Sequence, residues 1–437
     1  ATLLYERQDF DEAELHFQRA IEARPRFNAA TRNDYALLLL NVRDDVDGAE
    51  AQLQKALETD DASSRAHNTY GLLLKNYRRD YAEAERHYLA ALKSDPAYAD
   101  AHNNLATLFK TVKNDTALAE KHYRLALRSV DGATAADVHN NLAYLLHSTE
   151  RHRGAERHYR LALRCDPSFA TAHNNYANFL SDVRSDDDGA ERHWKLALEH
   201  DPTYADAHNS LGYLEARRGA YDKAERHYLH ALEHNPESPS AHLNYGLLLH
   251  VARRDVDGAA FHYEKALKRG NAPTAYNNLG YLLLSEKNDP DAAEQLFRQG
   301  LALDPNHAAT NESIAELLHF VRRDYDSAEK HYRLALEANP DRATSHERLA
   351  ELLADVRGDN DAAIFHFAEA LRLCPEKPDA LLRLRDLHRA KGDAATAHKY
   401  LAAYNDLGGR GFSKKGASHK AAAGPVPQRP APLPRDR

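Results

Sequence analysis

The chain has 437 residues, 28% of them charged, and a formal net charge of −8 at pH 7. It holds no apolar run near the roughly eighteen residues that cross a bilayer and no secretory leader pattern, which argues against a membrane protein. Its two cysteines, Cys165 and Cys374, are too few for a disulfide framework, so a reducing compartment, the cytoplasm, is expected.

Taken from the start, Phe10 to Arg24 reads as one helix, preceded by only half of another. The expectation is a truncated first repeat, from a fragment or a chain whose beginning is absent. A second repeat covers residues 29–61. Regularity is greatest from about 65 to 271, where "AHNNLATLFKTVKNDTALAEKHYRLAL" from Ala101 and "VHNNLAYLLHSTERHRGAERHYRLAL" from Val138 are near copies. A small residue recurs at Ala36, Gly71, Ala106, Ala143, Ala177, Gly212, Gly246, Gly280, Ala315 and Ala350, spaced by 34 to 37 residues. A second small residue follows twelve or thirteen later (Ala84, Ala119, Ala155), an aromatic four further on (Tyr88, Tyr123, Tyr159, Trp194), and a third small residue three beyond (Ala91, Ala126, Ala162). Such a fixed period marks a repeat architecture. From 274 the pattern loosens, and residues 380–404 form a degenerate last repeat, as capping repeats do.

Two helices per repeat follow from the spacing. Ala84, Tyr88, Ala91 and Leu92 fall on one helical face. Small residues where helices cross let backbones approach, and the aromatic fills the space beside them. The Asp-rich connections, such as "SDVRSDDDG", supply N-caps. The fold class is therefore all-α: an α-solenoid superhelix of about twelve helical hairpins over residues 1–407. Residues 408–437 form a basic, Pro/Gly-rich tail expected to be disordered. Its "PQRPAPLPR" segment is a candidate proline-motif ligand, although a solvated tail is the plainer reading. The tail carries +6, so residues 1–407 carry −14, a poor match for a nucleic-acid backbone.

These residues resemble the tetratricopeptide repeat, with small residues at positions eight, twenty and twenty-seven, an aromatic at twenty-four and Pro at thirty-two. The departures are small. Most repeats carry one extra residue between the helices, position thirty-two is Asp61, Asp131 or Asn271 in three, and Leu53 replaces one aromatic. The resemblance implies a concave groove lined by the first helix of each repeat, at positions two, five, six, nine, twelve and thirteen. It also implies protein–protein recognition without catalysis.

Among candidate site residues, the 27 histidines are locked to the repeat period, at position four (His67, His102, His139) and just before the aromatic (His87, His122, His158). A metal site needs ligands that converge on one point, so these read as packing and surface positions, many of them able to protonate near pH 6, and no metal or cofactor is expected. Asp44 to Asp47 and Asp186 to Asp188 lack a full calcium loop and read as helix caps. Trp194 reads as core. No phosphate loop, nucleophile elbow or dinucleotide fingerprint occurs.

The asparagines stand apart. Position five is Asn33, Asn68, Asn103, Asn140, Asn174, Asn209 and Asn277, and position six is Asn104, Asn141, Asn175, Asn244 and Asn278. Asn is a mediocre helix former, so its repetition in mid-helix needs a reason. One reason is bonding between neighbouring repeats. The other is a ladder of amides facing an extended peptide, each offering a donor and an acceptor. The ladder looks most like the repeat arm of the O-linked N-acetylglucosamine transferases, here without a catalytic domain. The expected function is a scaffold or adaptor that holds an extended partner segment in an Asn-lined groove. The alternatives are a structural subunit of a large assembly, the detached regulatory arm of a glycosyltransferase and, least favoured by the acidic array, an RNA-binding repeat.

Overall fold

The computed structural model describes residues 1, 4, 7, 9–23, 28–269 and 272–408. The tail expected to be disordered, apart from Gly408, its proline motif, Arg24 and Asn271 lie outside the described residues. Among the described residues there are twenty-three α-helices and no strand. A lone helix, Phe10–Ala23, is followed by eleven hairpins, beginning with Ala29–Leu38 and Val46–Thr59 and ending with Pro378–Ala390 and Ala394–Gly408. We call the first helix of each repeat A and the second B. The chain divides into two compact blocks, Ala1–Ala207 and the part from His208. No helix among the described residues is long and apolar enough to cross a membrane.

Inside each repeat the small residues and the aromatic meet as their spacing requires. Ala84, Tyr88 and Ala91 are fully buried, and so are Ala119, Tyr123 and Ala126. Trp194 fills the same slot at 3% exposure, its ring N–H donating to Asn178 at 3.2 Å. The crossing is tight: a Cβ on Gly71 would lie 2.6 Å from the Tyr88 ring, and one on Gly212 would lie 2.7 Å from Tyr228.

The extra residue between the helices has a structural signature. Where the first two small residues are thirteen apart, the cap residue of helix B donates its N–H six residues back, as Asp45 does to Leu39 and Asp115 to Phe109, both at 2.9 Å. Where they are twelve apart, the bond spans five, as from Arg151 to Leu146 and from Ala220 to Glu215. In five of the longer repeats the last turn of helix A widens into a π turn, for example Leu39–Arg43 and Leu74–Arg78. The connection then passes through one left-handed residue, such as Asp44, Arg79 or Arg254. The Asp after it caps helix B: Asp45 accepts from Gly48 N–H, and Asp186 from Gly189 N–H, each at 2.8 Å.

Ion pairs tie successive repeats within each block. Arg78, at the end of one helix A, grips Asp47 and Glu50 at the start of the preceding helix B. Arg253 does the same to Asp222 and Glu225, and Arg357 to Asp326 and Glu329. These pairs are largely solvent-exposed, so they set register more than they add stability.

Candidate functional site

The amides are bonded to one another. In the first block Asn104 Nδ2 donates to Asn68 Oδ1 at 2.9 Å, Asn141 to Asn103 at 3.1 Å and Asn175 to Asn140 at 3.1 Å. Each bond runs from position six of one repeat to position five of the one before. In the second block Asn244 donates to Asn209 at 3.0 Å. Asn33, Asn174 and Asn277 are buried, and among the described residues the Oδ1 of each has no bonded partner. For Asn33 and Asn277 the cause is legible, because position six of the following repeat is Thr69 or Ser313 instead of Asn. Asn277 Nδ2 makes a long contact, 3.4 Å, with Oδ1 of its neighbour Asn278.

An amide has two N–H donors and two acceptor lone pairs, so one bond leaves capacity on both members of a rung. Among the described residues no protein group pairs with Nδ2 of Asn68, Asn103 or Asn140, or with Oδ1 of Asn104, Asn141 or Asn175. Each rung thus keeps one donor group and one acceptor. Four of these asparagines, Asn33, Asn68, Asn103 and Asn104, line a cleft of about 280 Å³ in the first block.

The same cleft brings in residues that the Asn pattern did not single out. Arg65 and Asp100 come from position two and Leu37 and Leu72 from position nine, both groove positions in the resemblance; Tyr98 precedes its helix. Burial pushes the Tyr98 hydroxyl up to about 12, with Asp100 adding to the shift. At position twelve Lys75 and Lys110 are both lowered by burial, Lys110 to about 8 with the charge of Lys75 adding to it. Lys110 Nζ also sits 4.5 Å above the Tyr144 ring.

In the second block charged groups stand where amides stand elsewhere. Arg342 donates two bonds to Glu312 at 2.8 and 2.9 Å, and Ser345 also bonds Glu312. Arg348 lies between Glu316 at 3.4 Å and Glu351 at 3.0 Å. Burial, then the nearby carboxylate of Glu312, raises Glu316 to about 7.

The histidines pair within repeats. Position four faces the histidine before the aromatic, Nδ1 to Nδ1, at 2.9 Å for His67–His87, His102–His122, His139–His158 and His173–His193. Burial lowers the pKa of His87, His102, His139 and His173, and brings His122, His158 and His193 to about 4, with the partner imidazole adding to the shift of these three. The expectation that such histidines protonate near pH 6 is therefore corrected for His122, His158 and His193: burial and the facing imidazole hold these rings neutral at that pH. No group of three or more His, Cys, Asp or Glu is placed to hold a metal ion among the described residues.

Helical hairpins stacked in series, each with a small–aromatic–small core, define an α-solenoid of protein-interaction repeats. The family model of the tetratricopeptide repeat matches residues 1–67, 76–133, 185–239, 221–271, 248–308 and 317–378, more than half of the chain, and the chain belongs to that family. No curated protein matches it significantly. Among solved structures it is similar to a chain of the crystal structure of the APC/C hetero-tetramer Cut9–Hcn1. The TM-score is 0.53 at 15% identity, covering 94% of this chain and 92% of that one. At that identity the likeness concerns the fold alone. The crystal structure of MamA matches 38% of this chain and 95% of its own, at 21% identity and a TM-score of 0.33.

Proposed function

We propose that the protein is a non-enzymatic scaffold, residues 1–407 forming the repeat array, that holds an extended segment of a partner protein along its asparagine ladder. One observation carries this reading: the rungs Asn68/Asn104, Asn103/Asn141 and Asn140/Asn175 each keep a donor and an acceptor beyond the bond they make to each other. A peptide backbone offers the complementary pair at every residue, whatever its side chains. The bond within each rung fixes the amides' orientation before the partner arrives, which lowers the ordering cost of binding. The ladder's likeness to the repeat arm of the O-linked N-acetylglucosamine transferases supports the same reading, and we place the protein in the cytoplasm.

The test begins with capture of partners from native extract on the full chain, identified by mass spectrometry. Partner affinity is then measured for Asn103→Asp. That change keeps the acceptor used by Asn141 and removes the outward donor. About a tenfold loss of affinity with unchanged melting supports the ladder. Unchanged affinity sinks it. A single stoichiometric complex insensitive to Asn103→Asp would instead favour a permanent assembly subunit.

A further inference from the structure

In three repeats a tyrosine just before the small residue of helix A lays its ring on the helix-B histidine of its own repeat. The ring centroids are 4.4 Å apart for Tyr70 and His87, 4.8 Å for Tyr176 and His193, and 4.7 Å for Tyr245 and His262. The Tyr176 hydroxyl also accepts from Arg160 Nε at 3.0 Å. That arginine is anchored through Nη2 to Glu156 at 2.7 Å, and Glu156 in turn holds Arg184 of the next repeat.

The stretch from Pro290 to Ala338 repeats this arrangement without the ring. Arg298 Nη2 is anchored to Glu294 at 2.5 Å, and Glu294 holds Arg322. Among the described residues nothing pairs with Arg298 Nε. His331 occupies the histidine place, its Nδ1 bonded to Asn311 Oδ1 at 2.8 Å. Burial lowers its pKa, so its ring is a neutral stacking face at pH 7. Where Tyr176 stands in the earlier repeat, this one has Ile314. Isoleucine branches at Cβ and is confined to one rotamer in a helix, so it stays close to its own backbone. A cleft of about 360 Å³ opens there, lined by Arg298, Ile314, Leu318 and His331 among others. That is the small end of ligand-pocket volumes, too little for a folded segment and enough for one aromatic side chain.

We propose that this cleft binds a tyrosine side chain of a partner protein, its ring against His331 and its hydroxyl accepting from Arg298 Nε. The chain's own Tyr176, between His193 and Arg160, is the template for that pose. The phenol oxygen distinguishes tyrosine from phenylalanine, because only it can accept from the guanidinium N–H. The site does not rest on the amide ladder, and either can fail alone.

The experiment titrates the full chain with p-cresol, toluene and N-acetyltyrosinamide, following histidine-ring and arginine Nε signals by NMR. We expect saturable shifts at His331 and Arg298 with p-cresol at millimolar concentration, about tenfold weaker binding of toluene, and N-acetyltyrosinamide binding at least as well as p-cresol. Ile314→Tyr should fill the cleft with the chain's own ring, raise the melting temperature and abolish p-cresol binding. If that variant does not fold, Arg298→Ala should reduce p-cresol binding to the toluene level. No saturable shift, equal binding of toluene and p-cresol, or p-cresol bound unchanged by either variant would overturn the proposal. So would exclusion of N-acetyltyrosinamide, which would assign the cleft to a free phenol.

Discussion

His102 and His122 face each other Nδ1 to Nδ1 at 2.9 Å, and only one proton can lie between them. The other nitrogen of His102 settles which ring supplies it. Its Nε2 is 3.1 Å from the carbonyl of Pro96, so it carries a hydrogen and leaves Nδ1 as the acceptor. His122 is then the donor. Asn311 confirms the assignment, because it stands at the His102 place with an unambiguous amide. Its Nδ2 donates to Pro305 O at 2.9 Å, and its Oδ1 accepts from His331. A second proton on such a pair would set two N–H groups against each other.

The first prediction is acid lability. His122, His158, His193, His262 and His366 sit at about 4 in the fold, against about 6.5 in an unfolded chain. Between those values the unfolded chain binds protons that the fold refuses. Stability is therefore full above about pH 6.5 and is lost as pH falls toward about 4. Thermal melts by circular dichroism should be level near pH 7.5 and fall steadily below about 6.5. His102→Asn should fold normally at neutral pH, as Asn311 does in its place. A melting temperature constant from about pH 6.5 to 4.5 would contradict the pairing.

The second prediction concerns buried hydroxyls. Tyr88, Tyr263 and Tyr332 are fully buried, and among the described residues their hydroxyls have no bonded partner. Phe297 and Phe367 fill the same slot in other repeats with no loss of packing. Tyr→Phe at each of the three should be neutral or stabilising by up to about 1 kcal/mol, since an unmet buried hydroxyl carries its full desolvation cost. Tyr123→Phe should destabilise instead, because Tyr123 bonds Thr107 at 3.1 Å. Denaturant melts of the four variants give the sign directly.

The third prediction uses the left-handed turn. Arg79 has φ 58°, and Gly358 holds the equivalent place in a later repeat with φ 70°. A side chain in that conformation costs roughly 1 kcal/mol. Arg79→Gly should therefore raise local stability by a little less than that, because glycine gains freedom in the unfolded chain. Native-state hydrogen exchange of Tyr81–Ser94 should slow; faster exchange would show that Arg79 makes a contact worth more than the strain.

The period, the two helices and the small–aromatic packing were legible because they depend on spacing within one repeat. The partners of the periodic polar residues were not. Asn104 reaches Asn68 thirty-six residues back, and His102 reaches His122 twenty on. Both contacts depend on how helices dock, which spacing alone does not specify. Spacing identified the extra residue between helices but not its accommodation as a π turn. Arg65 and Asp100 were within reach, since position two was an expected groove position. Tyr98 was not, because it lies before its helix begins.

The last prediction isolates one carboxylate. Glu316 is raised to about 7 by burial, with Glu312 and Glu351 adding to the shift and Arg348 opposing it. Its unfolded value is near 4.5, so between the two values the fold holds a proton that the unfolded chain has released. The sign is opposite to that of the histidines: this contribution is greatest below about pH 4.5 and is lost as pH rises through about 7. Arg348 does not cancel the cost, because Glu351 shares it at 3.0 Å. The Glu316 side chain keeps 26% of its surface in contact with solvent, so the effect is smaller than full burial would give. Glu316→Gln preserves the shape and removes the charge. It should raise the melting temperature at about pH 8.5 and leave it nearly unchanged at about pH 5, where wild type is already protonated. A variant less stable than wild type at pH 8.5 would mean that the ionised carboxylate holds Arg348 in place and that its pairing outweighs its burial.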